Sequence, residues 1–266
     1  MAFLDYIKEA TSWIFETILS GTLDICTNMV QWCASASVSF WDASLVNTLL
    51  QAGAGVSILV WGVSLIIVIQ DVLEAISEEK RVYLGSVIGD SLKAIVFSQA
   101  SPFLGILVIK FLFQIMALLN WSDSLVANWQ SMIAVATGFS GILGIIITVI
   151  ASVYFFYASI KNSGLFFIML LLCPLYVPAI TRGDHSAMGG WIRQALAILL
   201  TYFFNHLIYY IGLFLFVQGD LFSAVIPWAA LFTIPRLLDK FGFSSGSGGV
   251  GQTLGIAVQG VSLFMH

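Results

Sequence analysis

Apolar residues fill long runs in this chain, and polar residues gather between them. Six runs stand out. The first lies within residues 45–69 and ends SILVWGVSLIIVI. The second runs from Pro102 to Leu119, the third lies within 134–160, and the fourth runs from Gly164 to Ile180. The fifth, Trp191 to Phe216, reads WIRQALAILLTYFFNHLIYYIGLFLF, and the sixth is Leu221 to Pro235. A helix crosses a bilayer with about 20 apolar residues. The fifth run has no Asp, Glu, Lys or Arg from Gln194 to Gly219 and is long enough to do so. No two-residue alternation is present, and the runs are too long for barrel strands. The expected fold class is therefore an all-α integral membrane protein.

Residues 1–42 follow a different pattern. Phe3, Leu4, Ile7, Ile14, Phe15, Ile18 and Leu19 recur at three- and four-residue steps, with Asp5, Lys8, Glu9 and Glu16 between them. This predicts an amphipathic helix lying on the membrane or against a partner. Trp13, Trp32 and Trp41 suit a membrane interface. The same charges leave no compact apolar region for a secretory signal. The chain thus divides into an amphipathic region, 1–42, a polytopic domain, 43–240, and a Gly/Ser-rich tail with a short apolar helix, 241–266. Residues 85–100, with the close-packing pattern GSVIG, read as an amphipathic helix leading into the second span.

Composition strengthens the membrane assignment. The 266 residues are 59% hydrophobic and 9% charged, with mean hydropathy +0.99, against about 25% charged in soluble domains. The net charge of −4 is thinly spread and implies no nucleic-acid surface.

The basic residues constrain the crossings. They fall into three groups: Lys80, Arg81 and Lys93; Arg182 and Arg193; Arg236 and Lys240. Two runs separate the second group from the third, which puts them on one side. Three runs separate the first from the second, which puts those on opposite sides. A run that fails to cross removes the conflict. The fourth carries Pro174 and Pro178, which remove backbone donors four residues apart. It is expected to be re-entrant, leaving about five full crossings, with the N-terminus outside and the C-terminus inside.

Polar groups inside the runs are the candidate chemistry, because they are costly at that depth and face protein or water. Lys110 lies in the second run with Gln114 one turn on, and Asn205 and His206 lie in the middle of the fifth. These four are candidate pore or helix-seam residues. Tyr202, His206, Tyr209 and Tyr210 share a helix face, with Thr201 and Asn205 beside it. Asp90 and Asp220 are conceivable partners for Lys110. Gly141 and Gly144, in a row with Gly138, together with Pro174, Pro178 and Trp191, are candidate packing or hinge residues.

Other patterns carry less. Gly246 to Thr253, GSGGVGQT, has Gln252 where a phosphate-binding loop needs lysine. Arg182 to Asp184 spells RGD in a loop. Asp71, Glu74, Glu78 and Glu79 read as a solvated face. Cys26, Cys33 and Cys173 have no metal spacing, and no nucleophile has supporting partners. The expectation is no enzyme, no cofactor and no metal.

One combination is specific. A proline-interrupted run ends in a short loop, Trp191 opens a long aromatic span, a further span ends IPRLLDKFGF (Ile234 to Phe243), and a glycine-rich tail follows. Over roughly residues 45–250 this resembles the TrbL-like polytopic inner-membrane channel subunit of type IV secretion systems, in its Gram-positive conjugative form. The resemblance implies a multi-pass protein of the bacterial cytoplasmic membrane that oligomerises in surrounding lipid. It implies other secretion subunits, including cytoplasmic ATPases, as partners, with a DNA–protein substrate handled indirectly. The alternative is a secondary transporter or channel for a small solute, which should show inverted repeats and paired broken helices.

Overall fold

The computed structural model describes residues 2–78, 84–118 and 139–240. Lys80, Arg81, Gly138 and the Gly/Ser-rich tail lie outside them. Among the described residues every regular element is helical: α1 (Ala2–Asp42), α2 (Ser44–Ser77), α3 (Leu84–Leu118), α4 (Phe139–Leu171), a 3₁₀ turn (Cys173–Tyr176), α5 (Val177–Thr181), α6 (His185–Val217), α7 (Leu221–Leu231) and α8 (Ile234–Lys240). The physical reason is that a helix satisfies its backbone internally, as an apolar solvent demands. Buried hydroxyls follow suit. Ser57, Ser64, Ser101, Thr148 and Thr181 each donate to the carbonyl four residues back in their own helix.

Among the described residues four helices are long and apolar enough to cross a membrane: Ser44–Ser77, Leu84–Ile115, Leu143–Leu171 and His185–Val217. The all-α membrane class is as expected, but the division into spans differs. The third run and the first half of the fourth form one helix, α4. Lys161, Asn162 and Gly164 interrupt its hydropathy without removing a backbone donor, so the helix continues. The break comes at the prolines: Pro174 opens the 3₁₀ turn and Pro178 sits in the first turn of α5. Residues 85–100 likewise continue into the second span as α3, with Pro102 inside it. The sixth run is the 11-residue α7, at about 1.5 Å per residue too short for a 30 Å hydrocarbon layer. Among the described residues two long helices, α3 and α4, lie between Ser77 and Arg182, and one long and one short helix, α6 and α7, between Arg182 and Arg236.

Two glycine–aspartate pairs punctuate the second half of the chain. Gly183 and Gly219 have φ of 87° and 85°, a region glycine enters without a Cβ penalty. At the first, Gly183 N–H donates to Ile180 O and Asp184 N–H to Ala179 O. At the second, Gly219 N–H donates to Phe216 O and Asp220 N–H to Leu215 O. This doubled pattern satisfies the last carbonyls of α5 and of α6. The aspartate then starts the next helix. Asp184 Oδ1 accepts from Ser186 N–H at 2.9 Å, and Asp220 Oδ1 from Ser223 N–H at 3.1 Å. The Ser223 hydroxyl and amide hold the Asp220 carboxyl below its ordinary pKa. The RGD triplet is thus a helix stop and start.

The chain forms two compact units. The first takes the described residues of Met1–Val38, Leu112–Asn162 and Thr201–Leu237, and the second those of Ser39–Phe111, Ser163–Leu200 and Leu238–His266. In the second unit α2 and α3 run antiparallel. Trp61 Nε1 donates to the Ser91 carbonyl and hydroxyl, Gln99 Nε2 to Ala54 O, and Lys110 Nζ to Asp42 Oδ1. The end of α4 packs where small residues admit it: Leu171 against Gly53 and Leu170 against Gly105. Trp41, expected at an interface, is fully buried, edge-on to Phe166 and Phe167. Trp13 is exposed.

In the first unit the tightest approach is Gly212 of α6 against Trp228 of α7. A Cβ on Gly212 would lie 2.2 Å from the indole Nε1 and 2.5 Å from Cδ1. Gly212→Ala is expected to cost about 1–3 kcal/mol by overpacking. Gly62→Ala, with nothing within 4 Å of the new Cβ, should leave stability unchanged or slightly raised. Thermal unfolding in detergent checks the pair, and a fully stable Gly212→Ala chain would contradict this packing.

Candidate polar helix seam

Within the first unit, α6 presents Tyr202, His206 and Tyr209 at four- and three-residue steps, the helical spacing that puts them on one face. α4 answers with Ser152 and Phe155. Ser152 Oγ and Tyr209 Oη are 2.6 Å apart. Phe155 stacks on Tyr209 at 4.3 Å and meets the His206 ring edge-on at 4.7 Å. Tyr202 lies against His206 at 4.3 Å and edge-on to Phe113 of α3 at 5.6 Å. α1 closes the cluster: Tyr202 Oη donates to Ser37 Oγ at 3.2 Å, and Trp32 packs on Phe156 at 5.2 Å. The face predicted from sequence therefore looks at α4, α3 and α1.

His206 and Asn205 are 2% and 1% exposed, so both belong to the interior. His206 Nδ1 is 2.9 Å from the Tyr202 carbonyl. A carbonyl only accepts, so Nδ1 carries the proton. The opposite nitrogen, Nε2, has no protein partner, nor has Asn205 Oδ1. Further along α4, Ser159 Oγ and Asn162 Nδ2 are also buried and unpartnered. Such groups are rare, because each costs about 1–3 kcal/mol.

The other singled-out residues fall elsewhere. Lys110 belongs to the second unit, and its partner is Asp42 rather than Asp90 or Asp220. Both side chains are about half exposed, 46% and 53%. Gln114 is exposed. Gly144 is buried, and its carbonyl accepts from Thr148 Oγ1 at 2.8 Å. Gly141 lies in α4, its surroundings outside the described residues. In the second unit Pro174 is buried and Pro178 half-buried, in the 3₁₀ turn and α5 on which α2 packs. Trp191 is buried there, edge-on to Phe97 at 5.2 Å, with Nε1 donating to Met169 O at 3.3 Å.

At one end of the second unit, Asp71 and Asp90 take basic partners. Arg182 is 3.8 Å from Asp71, and Lys93 and His185 are 2.9 and 3.5 Å from Asp90. The Arg182–Asp71 and His185–Asp90 contacts tie the turn between α5 and α6 to α2 and α3, while Lys93–Asp90 lies within α3.

Sequence reading missed Asp42, Ser37, Ser152, Ser159 and Asn162. A signal for the last three was present. Thr148, Ser152, Phe155, Ser159 and Asn162 recur at four, three, four and three residues in an apolar stretch. That is one helix face.

The Ser152–Tyr209 bond ties α4 to α6 across the seam. Ser152→Ala and Tyr209→Phe should each cost about 0.5–1.5 kcal/mol, and the double variant less than their sum. A thermodynamic cycle on unfolding in detergent measures the coupling. Full additivity would show that the hydroxyls do not act together.

A family model described as "Conjugal transfer protein TrbL" matches residues 109–257. No curated protein and no solved structure matches the chain. The matched stretch is more than half of the 266 residues and contains α4 to α8, including the α4 and α6 faces of the seam. With four helices apolar and long enough to span a membrane, the chain is a membrane component of conjugal transfer and belongs to the TrbL family.

Proposed function

We propose that this chain is a channel or scaffold subunit of a type IV secretion machine in the bacterial cytoplasmic membrane, and that copies assemble to help form the translocation path. The observation that carries the reading is the extent of the family match, which takes in α4 and α6 of the polar seam. The subunit's part is mechanical: it holds a shaped, membrane-embedded body while cytoplasmic ATPases supply energy and engage the DNA–protein substrate. Lys80, Arg81 and Arg182 face the cytoplasm by the bias of basic residues to that side.

The residues take distinct roles in this reading. Asn205 and His206 keep the α4–α6 seam polar. Exposed Lys110 and Gln114 offer polar contacts to neighbouring subunits or to the path. Gly141 and Gly144 permit close helix approach. Pro174 and Pro178 supply a bend, and Trp191 anchors the helix that follows.

His206→Leu is expected to lower transfer about tenfold or more, as losing roughly 1.4 kcal/mol from an assembly step would do, while membrane protein levels stay normal. Mating frequency beside membrane immunoblots measures both, and normal transfer at normal levels would refute the role. The detergent-solubilised particle should weigh several times the 29.0 kDa chain. A strictly monomeric particle counts against the assembly.

A further inference from the structure

The seam holds more polar chemistry than its protein partners satisfy. Ser152 and Phe155 of α4 touch Tyr209 and His206. Ser159 and Asn162 lie four and seven residues beyond Phe155, on the same helix face. Both are at most 5% exposed. The Cys33 thiol of α1 lies beside Ser159, and Ser37, one turn on, accepts from Tyr202. The face is therefore closed by three helices of the first unit. Asn162 Nδ2 and His206 Nε2 have no protein partner there, and Ser159 Oγ has only the Cys33 thiol beside it.

The donor and acceptor types select the ligand. With the proton on Nδ1, Nε2 of the neutral His206 ring accepts. Asn162 Nδ2 only donates, and Ser159 Oγ does both. Asn162 lies about 10 Å along α4 from Phe155, so these groups are spaced along the seam. Small neutral molecules that both donate and accept suit each of them, and water, with two donors and two acceptors, is the smallest. Buried waters commonly make about three bonds to otherwise unsatisfied groups.

We propose that the α1–α4–α6 seam is a hydration site, in which ordered water satisfies Ser159, Asn162 and His206. The site is built by one copy of the chain and does not depend on assembly. Its energetics differ from those of a dry seam. In a dry seam, replacing an unpartnered polar group by an apolar one of similar shape is neutral or stabilising. In a hydrated seam the same change removes bonds to water.

The test uses the full chain in lipid bilayers and water-edited solid-state NMR. The His206 and Asn162 side-chain signals should build up from water about as fast as that of exposed Lys110. Build-up as slow as that of buried Leu213 overturns the proposal. Thermal unfolding gives a second readout. Ser159→Ala and Asn162→Leu should each lower Tm by about 2–4 °C per bond lost, and an unchanged or raised Tm for both overturns it. The NMR arm needs no substitution, so a variant that fails to fold leaves the test intact.

Discussion

Closure of hydrogen bonds inside the helices is the constraint on which this structure depends. In hydrocarbon a free backbone N–H or C=O costs several kcal/mol, so the described chain is helical almost from end to end. Most buried hydroxyls obey the same rule by donating to their own helix, as at Ser57, Ser101 and Thr148. A helix whose polar groups are all turned inward has little with which to recognise another. The places where closure fails are then the informative ones.

There are two kinds. One is in the backbone, where Pro174, Pro178 and the glycine–aspartate pairs end one helix and begin the next. The punctuation is economical, since a positive-φ glycine closes the old helix and the following aspartate accepts from the new one. The other is in the side chains. Tyr202, Tyr209, Ser37 and Ser152 bond across helices, and His206, Asn205, Ser159 and Asn162 keep polar atoms that no protein group meets. Association in lipid gains little from apolar burial, so directional bonds and small-residue contacts carry it. The seam supplies the first, and Gly53, Gly105 and Gly212 the second.

Much of this was legible along the chain. Hydropathy fixed the membrane class, the helical periodicity put Tyr202, His206 and Tyr209 on one face, and the prolines marked the break. Two errors share a cause. Lys161, Asn162 and Gly164 looked like a boundary because hydropathy falls there, yet none removes a backbone donor, and α4 runs through them. Trp41 looked interfacial because its indole is amphipathic, yet Phe166 and Phe167 bury it. A polar dip ends a hydropathy run; a missing N–H ends a helix.

The sequence by itself determined solvent and element type, because lipid leaves a single chain so few ways to satisfy its backbone. It also marked which helix faces are polar, since that depends only on spacing. Partners were decided by the tertiary structure alone. Lys110 meets Asp42, 68 residues earlier, and Tyr202 meets Ser37, 165 residues earlier. Such choices rest on which helices lie side by side and in what register. No local pattern encodes this, and it emerges only when the glycine contacts and aromatic rings are packed together.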